Sequence, residues 1–244
     1  MFNIETVTSI GILCSLLFPC LVVPCAAATA SPAEIFPLQK GDRWVYEAHV
    51  RYVPAGSSEI RQKDLQWTME VEESVQRDLI RGALIRGHPQ DLVWYSDQSP
   101  RGKYIVLNFN GEKLYLIEGE RVPEIWKSFE DGNMPPDAVT ESDLIVEMPL
   151  KEGHMFGETA MLLRGDGMYV WRVEGDKEAG AVGLRNESPF EQGQVYHVTY
   201  RCLSSHAFEN YVPGIGLTRY IFGHHGTVSD VDARLVGFYP APSP

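Results

Sequence analysis

Hydrophobic and polar residues alternate with a period of two along most of this chain, and that period predicts β-strands. From Arg43 to Val53, Trp44, Tyr46, Ala48, Val50 and Tyr52 fall on one side, and Glu47, His49 and Arg51 on the other. That is the pattern of a strand with one face in a core. Leu65, Trp67, Met69 and Val71 alternate with Gln66, Thr68, Glu70 and Glu72 in the same way. Shorter strands are expected at Ala83–Arg86, Leu92–Tyr95, Leu144–Met148 and Met168–Glu174, the last placing Tyr169, Trp171 and Val173 on one face. Val195–Leu203 should be a strand with Tyr196, Val198, Tyr200 and Cys202 on a shared face, which predicts a buried, unreactive thiol. Tyr104–Phe109 and Glu112–Ile117 flank Asn110-Gly111. Both turn residues tolerate positive φ, so this pair predicts a hairpin.

The run Tyr211–Tyr239 contains a second hairpin. Pro213-Gly214 suits a type II turn, because proline presets φ and glycine accepts φ > 0 at the next position. Two alternating runs follow, joined at Gly223, His224, His225 and Gly226. Pairing Phe222 with Thr227 sets Arg219 opposite Asp230, an arrangement that would contribute about 0.2–1 kcal/mol.

Helical periodicity is scarce. Pro123–Glu130 is the best candidate, with proline in the first turn, Glu124 at the positive end of the dipole and Ile125, Trp126 and Phe129 on one side. One internal echo stands out: PLQKGDRW at Pro37–Trp44 against PLKEGHMF at Pro149–Phe156. It suggests two similar halves, divided in the proline-containing break at 131–140. The expected fold is therefore mainly β, a curved antiparallel sheet or open barrel with one short helix. It would form one domain over 31–239, with a tail at 240–244.

The N-terminus changes the picture from fold to destination. Thr6 to Pro32 carries no charge, its core from Ile10 to Val23 is apolar, and AAATA offers cleavage after Ala30. This is the outline of a signal peptide over 1–30, although its start has Glu5 and no base. The alternative is an uncleaved anchor, which would be the chain's means of membrane attachment. Cleavage makes the protein exported, periplasmic or extracellular. A chain starting at Ser31 keeps 21 bases against 32 acids, a net charge of −11. Such acidity argues against nucleic acid as a partner. Three of the four cysteines (Cys14, Cys20, Cys25) leave with the signal, so Cys202 has no partner for an internal disulfide.

Catalytic signatures are absent: no nucleophile elbow, no HExxH, no phosphate loop, no dinucleotide fingerprint. His224 and His225, with His206 and Asp230 close in sequence, form the nearest thing to a metal site. A divalent ion such as zinc would need three or four of them to converge within about 2.0–2.2 Å. That gives one alternative, a metal-dependent hydrolase, with otherwise no cofactor expected. The strand aromatics give another. Trp44, Tyr46, Trp67, Tyr169 and Trp171 are candidate ligand contacts if aromatics line a concave face rather than only a core.

The opening FPLQKGDRWVYE resembles the start of many uncharacterised bacterial exported proteins and lipoproteins, with the pattern F-P-L-x-x-G-x-x-W-x-Y. The closing YVPGIGLTRYIFGHHGT is similar to a Y-x-P-G-x-G segment found near their ends. The resemblance covers both ends of the chain after residue 30, and it implies export and a β-rich fold. A lipobox, common in such proteins, is missing, since Cys20 and Cys25 each follow proline. The expectation is a non-enzymatic exported scaffold that binds a small apolar ligand or an envelope protein, with a purely structural module of the cell envelope as the other alternative.

Overall fold

The computed structural model describes residues 35–98, 100–175 and 188–242. The expected signal peptide, its cleavage point and Cys14, Cys20 and Cys25 lie outside them. The described chain forms strands β1 (Arg43–Tyr52), β2 (Arg61–Arg77), β3 (Ile80–Arg86), β4 (Lys103–Phe109), β5 (Lys113–Ile117) and β6 (Leu144–Glu147). They are followed by β7 (Met155–Phe156), β8 (Trp171–Glu174), β9 (Tyr196–Arg201), β10 (Ser205–Val212), β11 (Gly216–His224) and β12 (Ser229–Tyr239). Helix α1 spans Val122–Glu130, and a single turn, α2, spans Thr159–Leu162. Among the described residues, no helix is long and apolar enough to cross a membrane.

All twelve strands join one antiparallel sheet in the order β6-β5-β4-β3-β2-β1-β12-β11-β10-β9-β8-β7. The sheet curls into a nearly closed barrel. It is two six-strand meanders, β1–β6 and β7–β12, joined where β1 pairs with β12 from Arg43↔Tyr239 to Tyr52↔Ser229. The corresponding second join would be β6 to β7. Those strands approach each other without forming a ladder.

The sequence echo builds the same turn twice. Asp42 N–H donates to Gln39 C=O at 3.0 Å, and His154 N–H donates to Lys151 C=O at 2.9 Å. Gly41 N–H reaches Val71 on β2, and Gly153 N–H reaches Val173 on β8, both at 2.9 Å. Val71 and Val173 return bonds to the carbonyls of Asp42 and His154. Both glycines take left-handed backbone, φ +96 and +81, which a side chain would strain. Each turn then delivers a fully buried ring, Trp44 or Phe156, to the first strand of its meander. The break 131–140 lies between α1 and β6, within the first meander. The crossing to the second comes later, at 148–154.

The main core fills the barrel interior around Trp44, Tyr46, Val50, Met69, Ile85 and Leu235. Trp44 Nε1 donates to the Ile215 carbonyl at 2.6 Å, and Tyr46 Oη to that of Leu217 at 2.9 Å, so both buried aromatics satisfy their polar ends. A second cluster covers the outer face of β3–β5, where Leu84, Ile105, Leu107 and Ile117 receive Ile125, Trp126 and Phe129 of α1. Those strands are thus buried on both faces. Gly82 is where the helix comes closest: a Cβ there would stand 2.2 Å from Phe129 Cε1.

Three local expectations are corrected. Leu92–Tyr95 is not a strand. Pro89–Leu92 forms a 3₁₀ turn, and Trp94 follows with φ +58. Proline fixes φ at that turn's start, and the His88 ring accepts the Gln90 N–H at 3.3 Å. Strand β8 begins only at Trp171, because Tyr169 sits at φ +64. The β11–β12 register differs too: Phe222 pairs with Val231, and Arg219 lies opposite Arg234. Strand β11 continues to His224 because it pairs with β10 as far as Ser205, so the loop starts later than Gly223. Arg219 then bonds Asp232 at 3.1 and 3.2 Å, while Asp230 is held by Arg51 at 2.7 Å. At Asn110-Gly111 the hairpin forms as expected, with φ +51 and +73.

Candidate functional site

The described residues of the second meander do not fill its side of the barrel. A cavity of about 490 Å³ lies between β5–β6 and β8–β11, beside the unpaired β6–β7 seam. Three kinds of side chain line it. Trp171, Tyr169, Tyr200, Tyr220 and Phe222 supply rings, and Val93, Leu116, Leu144, Ile145 and Ala207 supply aliphatic wall. The polar remainder is dominated by carboxylates: Glu118, Glu141, Asp143, Glu158 and Glu209.

Glu209 is the deepest of these, only 4% exposed. Strand alternation places it there, since Ala207, Glu209 and Tyr211 share the inward face of β10. Tyr211 Oη donates to Glu209 Oε2 at 2.6 Å. Burial raises the Glu209 carboxyl to about 7, against the pull of that hydrogen bond. Also on the wall is His88, 3% exposed, whose ring lies 5.4 Å from that of Tyr104 and 6.0 Å from that of Tyr220. Its Nδ1 accepts the Gln90 amide, which leaves the proton on Nε2. Burial lowers its pKa to about 3, so the ring is neutral.

At the rim, Arg121 forms a two-pronged contact with Asp143, and Asp143 also caps Thr140 N–H at 2.9 Å. Those contacts hold the Asp143 carboxyl below its ordinary value although burial opposes them. Glu141 accepts from Thr159 N and Oγ1 at 2.8 and 2.7 Å, tying α2 to the segment before β6. A wider, more open groove of about 700 Å³ lies on the other side of Glu118 and Arg121.

The five aromatic candidates part company here. Trp44 and Tyr46 are fully buried core residues, and Trp67 is buried with Nε1 bonded to Gly87 C=O at 2.9 Å. Tyr169 and Trp171 line the cavity. Tyr200, Tyr220, Phe222, Glu209 and His88 join them. The available signal was an acid at an inward position of an otherwise apolar strand face.

The histidine candidates gather only in part. His206 Nδ1 and His225 Nε2 are 3.5 Å apart at the end of the β10–β11 ladder. Burial first, then His225, lower the His206 pKa, with Asp230 opposing. His224 turns its Nδ1 to the Gly226 and Thr227 amides at 3.1 and 2.9 Å, and its ring meets Trp94 edge-on at 4.9 Å. Asp230 is engaged by Arg51. Among the described residues, no group of three or more His, Cys, Asp or Glu side chains is placed to hold a metal ion.

Cys202 departs from its expected place. It follows the end of β9, half-buried, with Sγ 3.1 Å from Ser205 Oγ and 3.6 Å from Ser204 Oγ. Burial pushes the thiol up, but the contacts with Ser205 and Ser204 outweigh it and leave the thiol below its ordinary value. The alternation of Val195–Leu203 ends at Arg201, which is why the residue leaves the core face.

No protein-family model matches this chain, and no curated protein matches it. Among solved structures, it is similar to a Bacteroides fragilis protein named as an exported protein with a YmcC-like fold. That match has 10% identity, covers 84% of this chain and 98% of the other, and has a TM-score of 0.39. It is also similar to a Parabacteroides distasonis protein named as a lipoprotein, at 14% identity, the same two coverages and a TM-score of 0.38.

Proposed function

We propose that this protein is a non-enzymatic exported scaffold that binds a small, largely apolar ligand in the cavity beside the β6–β7 seam. The observation that carries the reading is the cavity itself. Its roughly 490 Å³ falls within the range of about 300–1,000 Å³ typical of small-molecule sites. Rings and aliphatic side chains make much of its wall, and a few buried polar groups (Glu209, His88, Tyr220) are placed to fix orientation. The acidic surface, net charge −12 over the whole chain, fits a small ligand better than a nucleic acid. Export rests on the uncharged, apolar N-terminal run.

Native mass spectrometry of protein purified from its host tests both parts. The expected result is a species starting at Ser31 that carries, or takes up one equivalent of, a neutral hydrophobic probe such as N-phenylnaphthylamine. Trp171→Ala should weaken that uptake about tenfold or more. Full-length mass in the membrane fraction would contradict cleavage, and a protein that takes up no probe would contradict the ligand reading.

A further inference from the structure

The cavity wall also indicates which ligand it suits. We propose that its ligand is a hydrophobic amine, an aromatic or aliphatic body bearing one protonated nitrogen, with Glu209 as counter-ion; this rests on the ligand-cavity reading above.

Charge is the first argument. Among the described residues, five carboxylates line the cavity, against one permanent cation, Arg121. Arg121 already spends its guanidinium on Asp143 through both nitrogens, so the described residues of the wall offer an anionic ligand no uncommitted permanent cation. The two histidines on the wall do not replace it. His88 is buried beside Tyr104 and Tyr220 with its Nδ1 occupied as an acceptor, and His206 faces His225. An anion would therefore meet carboxylates without a compensating partner, while a cation is drawn in.

Geometry is the second argument. Glu209 is 4% exposed and lies on the cavity wall, and Tyr211 donates to only one of its oxygens, Oε2. Among the described residues Oε1 accepts no hydrogen bond and is not one of the fully enclosed polar atoms, so a ligand N–H can reach it. A buried carboxylate without its full set of donors is costly, and a cation supplied by the ligand removes that cost.

The rings are the third. Trp171, Tyr200, Tyr220 and Phe222 border the same space, and aromatic faces attract a desolvated ammonium as well as an apolar body. Neutral ligands gain the second benefit and not the first. The site thus separates an amine from its uncharged isostere by Glu209 and the rings together.

Isothermal titration of the purified protein at neutral pH with naphthylmethylamine, naphthalenemethanol and naphthoic acid tests this, since the three share a ring system and differ in charge. The amine should bind about tenfold or more tightly than the alcohol, with the acid weakest. Glu209→Gln keeps an acceptor for Tyr211 and should abolish the amine's advantage, so that amine and alcohol bind the variant with equal affinity. Should amine and alcohol bind equally, or the preference survive in Glu209→Gln, the amine is wrong and the ligand cavity stands. Should none of the three bind, nor N-phenylnaphthylamine, both readings fall together. Selectivity in the wild-type protein alone decides the case if the variant does not fold.

Discussion

The two meanders begin alike and end differently. Each opens with the same glycine turn and buries an aromatic ring at the head of its first strand, Trp44 in β1 and Phe156 in β7. Strand β1 then pairs over its whole length with neighbours on both sides. Strand β7 is two residues long and, among the described residues, pairs with β8 alone. One of the barrel's two equivalent closures is thus made, and the other is left open. The interior follows suit. Around β1 it is filled by Tyr46, Met69 and Leu235, whereas around β8–β11 it holds Glu209, His88 and an unfilled volume. A closed ladder supports a dry, dense core. An interrupted one leaves room and an entrance, which is what a binding site needs.

The comparison breaks most visibly on removal of the two leading rings. Trp44→Ala should cost about 3–5 kcal/mol in denaturant unfolding, near the upper end because the Ile215 carbonyl also loses its donor. Phe156→Ala should cost less, near the lower end of that range, because the short β7 can settle into the gap. Equal losses would argue that the second seam is as tightly held as the first.

Glu209 gives the next largest effect. Its folded pKa of about 7 lies above the ordinary carboxyl value, so the folded state holds the proton more tightly than the unfolded chain. The stability this adds is present at low pH and lost as pH rises from the ordinary value through about 7. The two values differ by enough for roughly 3 kcal/mol. Glu209→Gln should therefore flatten the fall in stability between acid and mildly alkaline pH. His88, depressed to about 3, works the other way, disfavouring the fold as pH drops below the ordinary histidine value. Urea midpoints of Glu209→Gln and of the wild-type protein across pH separate the two.

A smaller effect compares fillings. Ala48 is in the packed core of β1, and Ala207 faces the cavity. Ala48→Leu should cost about 1–3 kcal/mol by overpacking. Ala207→Leu should fall within about 0.5 kcal/mol of wild type, as a substitution meeting no crowded core. The smallest is Arg51→Gln, which removes a half-exposed partner of Asp230 and should cost less than about 1 kcal/mol.

How much of this the residues foretold follows from which forces act locally. The alternation of β1, the Asn110-Gly111 turn and the short helix were legible, because strand period, turn backbone and helix start are set within a few residues. The echo at Pro37 and Pro149 was legible as well, and it marks two equivalent turns. The register of β11 was not, because pairing with β10 carries the strand past Gly223. Nor was the site. Strand period shows that Trp44 and Trp171 face inward, but whether the space they face is full depends on how the far strands close. Glu209 and His88 reach one cavity from β10 and the turn after β3, a convergence no local pattern encodes.

The central claim is that the open seam is the mouth of a ligand cavity, and hydrogen exchange of the purified protein, with and without saturating N-phenylnaphthylamine, tests it most directly. The account predicts slow exchange across β1 and β12 in both conditions. In β6–β8 it predicts faster exchange that the probe slows, together with added protection in β9–β11. Equal protection at the two seams, or a probe that protects no strand around the cavity, would contradict it.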